Sequence, residues 1–566
     1  MTDEIRRALC KHNKDNPSLT QKQLQNEFIV TMMMRNKSPT NEEDKSGKTS
    51  KEIAREGVDY ISQVPREILH HILSFLPFKH WIILGMVSKQ WQDLLRETPI
   101  LIFDENEIVS KMRRQVRSVL HEEHPRSDGL DECKQRFAGF VNHVMLHHSS
   151  CLIIKYARLS LQYEPTTRYA SNVNSWVHFL MTRDIEMLEL NFSSTPNMYC
   201  NLGIIAARRT RTAQTFELPH QPFEPKFTSF ILSFCKLKAF KFGCFMNLKV
   251  LYLKDVDILD SSIGQLVSKC PVLEDLYLEG CSVTEKFFVC KQDLKIKHLN
   301  LLNCLTEKWQ SYMIDISVPQ LTNLLIKGRY LRSSAIRNAT NLVDCSIDFD
   351  MQFSYMEQGN FLALMMINLR NCKTLALSSW CIQNLPILDI ELRRQLHGSF
   401  TNLTSLRFAV GYVKKELPGI VMLLQSCPCL ESLMLEINHK AKDIFFFRFV
   451  NNTFEPYLPE AFRFDNYLES LTRDIFCLQN SLKVLKIYGL MGRNEVIHLL
   501  EFLLRKALVL ENLVIYHDLP EECGTRESAP SIRELHKRRT LQALRDLPRA
   551  SSVVQVSVEK VEFWDD

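Results

Sequence analysis

Residues 270–281 read CPVLEDLYLEGC, and residues 427–438 read CPCLESLMLEIN. In both stretches a proline follows a cysteine, and leucines then occupy the pattern L-x-x-L-x-L. Proline cannot continue a helix, and apolar residues that alternate with polar ones are typical of a strand with one buried face. Each stretch therefore predicts the end of a helix followed by a short strand.

The strand pattern recurs along most of the chain. Between Leu251 and Leu433 its middle apolar position returns every 21 to 31 residues, a spacing similar to that of leucine-rich repeats. Cys281, Cys304 or Asn438 follows three residues after the last apolar position, where such repeats use a side chain to satisfy backbone groups in the turn. The middle positions are Leu188, Leu251, Leu276, Leu299, Leu324, Cys345, Leu375, Leu406, Leu433, Leu485 and Leu513.

One strand and one helix cannot bury their apolar sides alone, so such repeats must stack. We predict an α/β fold in which residues 150 to 515 form one curved leucine-rich-repeat solenoid. Short parallel strands, about a dozen of them, lie inside, and helices lie outside. Residues between the apolar strand positions, such as Tyr277 and Asn300, should face the concave side.

The long gap between Leu433 and Leu485 is interpreted as two repeats with one weak unit between them. Phe445, Phe446 and Phe447 fall in this gap. We interpret them as core residues of the weak unit, with a ligand-facing loop as the alternative.

Composition excludes several classes of function. A formal net charge of +5 is too small to indicate a nucleic-acid partner by bulk electrostatics. The chain has only 17 glycines and neither of the common glycine-rich phosphate loops. The longest apolar run, Trp81 to Val87, is far shorter than the roughly 20 residues that span a bilayer. With a polar N-terminal segment, these features predict a soluble protein made in the cytosol and no membrane partner.

The cysteines and histidines form no recognisable catalytic or metal site. A cytosolic chain with 17 cysteines is expected to keep them as thiols, and their recurrence at repeat positions predicts core packing. His121 and His124 lack the spacing of a zinc protease motif, and the His143, His147 and His148 group lacks a matching carboxylate. We therefore predict no catalytic residues, no metal and no cofactor, and a chain that is not an enzyme.

A second kind of pattern precedes the repeats. Pro65 stands at a predicted helix start, and Pro77 ends that helix. Two further short helices follow, one over Trp81 to Val87 and one that begins near Val87. Three short helices cannot bury this much apolar surface among themselves, which predicts a partner helix. The apolar positions are Ile68, Leu69, Ile72, Leu73, Leu76, Val87, Trp91, Leu94 and Leu95.

Residues 64–95 closely resemble an F-box, whose signature runs Leu-Pro, Ile-Leu, Ile-Leu-Ser-Phe-Leu-Pro and Val-Ser-Lys-x-Trp. The departures are small: Val64 replaces the usual leucine, Arg66 replaces an acidic residue, and Gly85 lies in the second helix. The resemblance implies a three-helix F-box that docks on a Skp-family adaptor. The adaptor-binding positions it implies are Val64, Pro65, Ile68, Leu69, Ile72, Leu73, Leu76, Val87 and Trp91.

An F-box followed by irregular leucine-rich repeats is similar to plant F-box/LRR-repeat proteins. The sequences around Trp176, over 477–515 and at Leu547 to Ser552 resemble the branch with a C-terminal FBD-like region. The expected domains are a polar, mostly disordered segment (1–57), the F-box (58–100), a helical linker (101–150), the repeats (151–475), and FBD-like terminal repeats with a tail (476–566).

The resemblance implies the substrate-recognition subunit of an SCF-type E3 ubiquitin ligase, joined through the adaptor to a cullin. It implies action in the cytoplasm, the nucleus or both. Two alternatives stay open: a leucine-rich-repeat scaffold with a decayed F-box, and DNA binding through residues 6–24, which resemble the first helices of a CENP-B-type helix-turn-helix. The residues name neither the target nor a small molecule that would bridge receptor and target.

Overall fold

The protein is described from a computed structural model. Its contacts divide the chain into two units, one made of Met1–Leu161 with Arg168–Met187 and one made of Gln162–Thr167 with Leu188–Asp566. The residues that the structure describes are 65, 69, 93–94, 96–109, 127–149, 153–163, 170–193, 216–219, 225–238, 245–259, 263–283, 286–290, 293–306, 312–328, 331–349, 353–387, 390–411, 413–437, 445–450, 453–456, 468, 471, 474–489, 494–517, 542 and 546–560.

The first unit contains two packed helices and two paired strands. The indole N–H of Trp176 donates to Asn142 Oδ1 at 2.6 Å, and its ring meets Phe137 edge-on at 6.2 Å between centroids. The buried faces of the two helices thus meet around a tryptophan whose polar N–H is satisfied. The elements are β1 (Ile100–Asp104), α1 (Ser127–His147), β2 (Ile154–Ser160), α2 (Ala170–Thr182) and β3 (Ile185–Asn191), which ends in the second unit.

The helical linker expected over 101–150 is only partly correct. Helix α1 lies there, but β1 precedes it and pairs with β2 in parallel, from Ile100 opposite Tyr156 to Asp104 opposite Ser160. Leu101 and Phe103 are fully buried. The segment therefore contributes a core strand to the first unit.

The second unit begins with strands of a long parallel sheet, each followed by a short peripheral strand. In chain order its first elements are β4 (Phe216–Glu217), β5 (Ser229–Ser233), β6 (Cys235–Lys238), β7 (Val250–Lys254), β8 (Asp257–Leu259), α3 (Ile263–Ser268), β9 (Asp275–Glu279), β10 (Ser282–Val283), β11 (Lys286–Cys290), β12 (His298–Leu302), β13 (Leu305–Thr306) and β14 (Tyr312–Ser317).

Helices become longer in the remainder of this unit. The elements are β15 (Asn323–Gly328), β16 (Leu331–Arg337), β17 (Asp344–Phe349), β18 (Phe353–Tyr355), α4 (Met356–Asn368), β19 (Thr374–Ser378), α5 (Ser379–Asn384), a 3₁₀ turn (Leu385–Ile387), α6 (Ile390–Leu396), β20 (Ser405–Val410), α7 (Val413–Ser426), β21 (Ser432–Ile437), β22 (Phe445–Val450), β23 (Thr453–Pro456), α8 (Phe476–Asn480), β24 (Val484–Tyr488), α9 (Asn494–Lys506), β25 (Asn512–His517) and β26 (Gln555–Lys560). None of the helices in the described ranges is both long and apolar enough to cross a bilayer.

Twelve of the described strands form one parallel sheet in the order β5-β7-β9-β12-β15-β17-β19-β20-β21-β24-β25-β26. The predicted middle positions stand opposite one another, from Leu251 opposite Leu276 to Leu485 opposite Leu513. Each of these side chains is at most 3% exposed. The predicted stack of parallel repeats is confirmed, and an unbroken column of apolar side chains is its core.

The other face of the sheet carries the residues between these apolar positions. Tyr277 and Asn300 lie there and are half-buried, as strand alternation requires. We call this side the open face. It is the face that the sequence assigned to the concave side.

A repeated turn ends the early strands. Asp255, Gly280 and Asn303 each adopt a positive φ, at 51°, 60° and 51°, and their N–H groups donate to carbonyls of the next repeat at 2.6–2.7 Å. The thiols of Cys281 and Cys304 then donate to the carbonyls of Leu253 and Leu278 of the preceding repeat, at 3.2 and 3.5 Å. The turn role predicted for these cysteines is confirmed.

Core packing by the cysteines is confirmed as well. The described cysteines are all free thiols, and Cys290 and Cys429 are exposed while the others are buried. Burial raises the pKa of buried thiols such as Cys427 well above its usual value, which keeps them protonated and unreactive.

The outer layer differs from the prediction of helices alone. Beside the repeats of β9, β12 and β15 it contains a three-stranded parallel sheet, β11-β14-β16. Phe287 and Ile314 stand opposite each other in it and are buried. Strands rise farther per residue than helices, so these short repeats close their outer side with fewer residues.

The prediction of a weak repeat between Leu433 and Leu485 is wrong. Strand β21 pairs directly with β24, so no sheet strand lies between them. The intervening chain supplies β22 and β23, which pair antiparallel in a separate sheet with β18. The Phe445–Phe447 run lies in β22, and its side chains lie outside the described residues.

We expect Leu276→Ala to lower the free energy of unfolding of the second unit by about 2–5 kcal/mol, because the truncation leaves a cavity in a stacked core. Chemical denaturation followed by circular dichroism measures it. Asn300→Ala, on the open face one strand away, is the control and should cost less than about 1 kcal/mol. Equal costs for the two variants would show that Leu276 is not a core residue.

We expect Gly419→Ala to destabilise the protein, although alanine normally favours a helix by about 1 kcal/mol over glycine. A Cβ at Gly419 in α7 would lie 2.0 Å from the carbonyl oxygen of Ile382 in α5, so the two helices would have to separate. Gly139→Ala in α1 is the matched control, because nothing lies within 4 Å of its added Cβ. The temperature of thermal unfolding should rise for Gly139→Ala and fall for Gly419→Ala. A rise for both variants would contradict the close contact between α5 and α7.

We expect His148 to make the first unit less stable in mild acid. Its Nε2 lies 2.9 Å from the carbonyl oxygen of Thr98, and burial lowers its pKa below 6.5. The unfolded chain therefore binds a proton that the folded chain does not, and the contribution to stability is present above pH 6.5 and lost below it. Thermal unfolding on both sides of that pH measures the loss, which His148→Gln should reduce and His147→Gln, at an exposed neighbour, should leave unchanged. Equal loss in all three proteins would exclude His148 as its cause.

Candidate functional site

Two of the predicted adaptor-binding residues are described by the structure. The N–H of Leu69 donates to the carbonyl of Pro65 at 3.1 Å, the spacing of a helical turn that begins at the proline. Pro65 is exposed, whereas Leu69 is 1% exposed. The other predicted positions lie outside the described residues: Val64, Ile68, Ile72, Leu73, Leu76, Val87 and Trp91.

The two described positions differ in exposure, and adaptor binding stays a prediction for both. Leu69 packs inside the first unit in the free chain, as does Leu94, which is fully buried. Pro65 keeps its place as a candidate contact residue.

The open face of the repeat sheet is the second candidate site. Its side chains come from fixed positions before and after the buried middle residue of each strand, so neighbouring strands bring them side by side. From the leucine pattern we predicted only Tyr277 and Asn300 by name on this face. The register of the buried leucines could have identified the others, because each lies at a fixed offset from its leucine.

Tyr252, Lys254 and Glu279 form a network near the start of the open face. Lys254 Nζ lies 2.8 Å from Glu279 Oε1, and the Tyr252 hydroxyl donates to the other carboxylate oxygen. Burial, with Glu279 beside it, raises the pKa of Tyr252. Burial also acts to raise the pKa of Glu279, but the hydrogen bonds from Lys254 and Tyr252 outweigh it and hold that pKa below its usual value. The network is a satisfied ion pair rather than a poised acid or base.

Further pairs follow along the same face. Lys327 Nζ lies 2.8 Å from Asp348 Oδ2, and Arg407 Nε lies 3.0 Å from Glu436 Oε2. His298 contacts Asp275 in the same manner across β9 and β12. Lys327 and Arg407 thus each have an opposite charge on the next strand.

The end of the open face is different in character. Tyr488 and Tyr516 stack with centroids 4.1 Å apart and planes 7° apart. Burial, together with the hydrogen bond that Tyr516 donates to Tyr488, raises the pKa of Tyr516, so its hydroxyl stays protonated at neutral pH. Lys486 lies two residues before Tyr488 on β24, between Met434 of β21 and Val514 of β25.

The residues that the structure describes contain no group of three or more His, Cys, Asp or Glu placed to hold a metal. His147 bonds to the carbonyl of His143 and His148 to that of Thr98, so two of the three histidines considered as ligands have backbone partners. His121 and His124 lie outside the described residues.

An outer cleft lies between α3 and the β11-β14-β16 sheet and contains Cys290 and Arg337. Arg337 is ion-paired to Asp315, with Nε 3.2 Å from Oδ1. The thiol of Cys290 donates to the carbonyl of Asp315 at 3.3 Å, and burial, reinforced by Asp315, raises its pKa. A protonated thiol beside a closed ion pair is not an activated nucleophile.

Comparison with known families gives two matches. A family model described as "F-box domain" matches residues 61–103. A second, described as "At1g61320/AtMIF1, LRR domain", matches residues 144–561, which is most of the chain. Neither is a model of an enzyme family.

Curated relatives have the same two parts in their names. The chain is 25% identical over 399 residues to "Putative F-box/LRR-repeat protein At3g18150" of Arabidopsis thaliana, covering 67% of this chain and 72% of that protein. It is 24% identical over 531 residues to "F-box/FBD/LRR-repeat protein At5g22660" of the same plant, covering 90% and 98%. The chain thus carries an F-box followed by leucine-rich repeats, and it belongs to the At1g61320/AtMIF1 leucine-rich-repeat family.

Proposed function

We propose that this protein is the substrate-recognition subunit of an SCF-type E3 ubiquitin ligase. The observation that carries the proposal is the order of its parts, an F-box at 61–103 followed by a repeat domain at 144–561. The F-box would bind a Skp-family adaptor, and the adaptor would join it to a cullin. The repeats would bind a target protein through their open face.

The proposed mechanism is proximity. A receptor that holds its target raises the effective concentration of target lysines near the ubiquitin-loaded enzyme and performs no bond chemistry itself. The satisfied ion pairs of the open face and the protonated, buried thiols fit a binding surface of this kind. Action in the cytoplasm, the nucleus or both is part of the proposal.

The proposed adaptor surface includes Pro65 and Leu69, the two motif positions that the structure describes. Pro65 is exposed at the start of a helical turn. The remaining positions rest on the F-box motif: Val64, Ile68, Ile72, Leu73, Leu76, Val87 and Trp91.

We also propose that residues 476–566 form an FBD-like terminal region. Relatives such as At5g22660 carry FBD in their names, and this chain aligns with 98% of that protein. In the structure the region contributes β24, β25 and β26 to the parallel sheet, and β26 lies beyond residue 515, where the range predicted from the leucines ends. An FBD-like region would therefore be the last repeats of the solenoid.

The scaffold hypothesis, in which the F-box has decayed and the repeats act outside any ligase, shares the repeat architecture and differs only in adaptor binding. The DNA-binding hypothesis rests on residues 6–24, which lie outside the described residues. An electrophoretic mobility shift assay tests the DNA-binding hypothesis. It compares DNA binding by the intact chain with DNA binding by a variant whose first 60 residues are replaced by a neutral linker.

We expect Pro65→Ala combined with Ile68→Ala to reduce adaptor binding more than tenfold. Truncation of side chains at an interface centre costs about 2 kcal/mol or more. The measurement is a quantitative pull-down of the full chain by a Skp-family adaptor, with circular dichroism to show that both proteins are folded.

Tyr488→Ala combined with Tyr516→Ala is the matched control, because these residues lie on the proposed target-binding face and should leave adaptor binding intact. Leu69→Ala should lower the temperature of thermal unfolding, because Leu69 is buried in the free chain. If the unmutated chain binds no Skp-family adaptor, the ligase proposal fails and the scaffold hypothesis replaces it.

A further inference from the structure

The charges of the open face are paired along most of its length. Lys254, Lys327 and Arg407 each contact a carboxylate on the neighbouring strand. A lysine or arginine that is already paired contributes little binding free energy to a partner's carboxylate, because the new contact must replace the existing one. These cations stabilise the sheet surface and are poor recognition groups.

Lys486 is the exception on this face. It has no hydrogen-bond or ion-pair partner among the residues that the structure describes. In the parallel register it stands between Met434 and Val514, both apolar and half-exposed. The carboxylates of the adjoining strands have partners of their own: Glu436, opposite Tyr488 on β21, is ion-paired to Arg407, and Glu559, opposite Tyr516 on β26, accepts a hydrogen bond from Tyr516.

The surroundings of Lys486 have the composition of a binding surface. Tyr488 and Tyr516 form a stacked pair beside it, half-exposed on the same face. Tyrosine and methionine are enriched at the centres of protein interfaces, because they supply contact area at a low cost in conformational entropy. A cation within an apolar and aromatic patch attracts a carboxylate more strongly than one in open water. We call Met434, Lys486, Tyr488, Val514 and Tyr516 the terminal patch.

We propose that the terminal patch binds an extended segment of the target protein that carries an acidic side chain, with an apolar or aromatic side chain two residues away. The acidic group would pair with Lys486. The apolar group would lie on the stacked tyrosines, which are about 7 Å farther along the strand direction, the distance between residues i and i+2 of an extended chain. The inference rests on the proposed function in one respect, that the repeats hold a protein target.

The probe is a set of fluorescein-labelled Gly/Ser peptides that carry one glutamate and one phenylalanine at spacings of one to five residues. Fluorescence anisotropy with the full-length chain should show the tightest binding at a spacing of two. A double-mutant cycle then pairs glutamate or glutamine in the peptide with wild type or Lys486→Gln. The glutamate peptide should lose at least fivefold in affinity on Lys486→Gln, and the glutamine peptide should lose less than twofold.

Lys327→Gln is the matched control, because Lys327 is on the same face, is exposed, and is paired to Asp348. It should leave the preference for glutamate unchanged, while Tyr488→Ala should remove the preference for phenylalanine. Circular dichroism confirms that each variant is folded.

Several results would overturn the inference: no binding by any peptide of the set, equal affinity for glutamate and glutamine peptides, or an equal effect of Lys327→Gln. Self-association of the chain that Lys486→Glu abolishes would assign the patch to a second copy and would also overturn it. Adaptor binding is measured separately through Pro65, so peptide binding without adaptor binding would reject the ligase proposal and keep the terminal patch. Adaptor binding without peptide binding would reject only the terminal patch.

Discussion

Ten buried side chains at the middle positions of ten successive parallel strands hold the second unit together. They run from Leu251 to Leu513, and every strand pair places one opposite the next. Each buried leucine contributes about 1.5–3 kcal/mol relative to an exposed one. A one-residue slip of a single strand would place Tyr277 or Asn300 in the core and a leucine in water, so the column fixes the register of the whole sheet.

The fixed register determines what the other face can do. Because the apolar core packs against one face of the sheet, the side chains of the open face are free to form cross-strand contacts. Examples are the pair of Lys254 with Glu279 and the stacked rings of Tyr488 and Tyr516. The turns that follow the early strands also recur from repeat to repeat. They contain residues with positive φ, and cysteine thiols that donate to carbonyls of the preceding repeat. A surface built this way presents side chains at regular intervals, which suits recognition of an extended segment.

Much of this architecture could be predicted from the leucines, and the errors have identifiable causes. The Cys270-Pro271 and Cys427-Pro428 pairs correctly marked the ends of α3 and α7. The strand at Phe230 was missed because phenylalanines replace the leucines of the pattern, although Phe227, Phe230 and Leu232 are buried in the same way. The outer β11-β14-β16 sheet was missed because the helix-or-strand choice there depends on how neighbouring repeats pack, which a single repeat does not encode.

The site was predictable only in outline. The F-box motif identified the candidate adaptor positions, but it could not separate contact residues from packing residues, and Leu69 proved to be buried. The direct pairing of β21 with β24 could not be predicted from the sequence. A long insertion between two repeats has the same residue spacing as a repeat whose leucine pattern has been lost. Lys486 gained significance only when the structure showed that its neighbours on the face are apolar or already paired.

The most direct test of the stacked register is a distance between spin labels on the open face, at position 277 of β9 and position 434 of β21. Six strand spacings separate them, so pulsed electron–electron double resonance on the full chain should give one narrow distribution near 30 Å, or about 4.8 Å per strand. A broad distribution, or a peak below about 20 Å, would contradict a single in-register parallel sheet through these repeats.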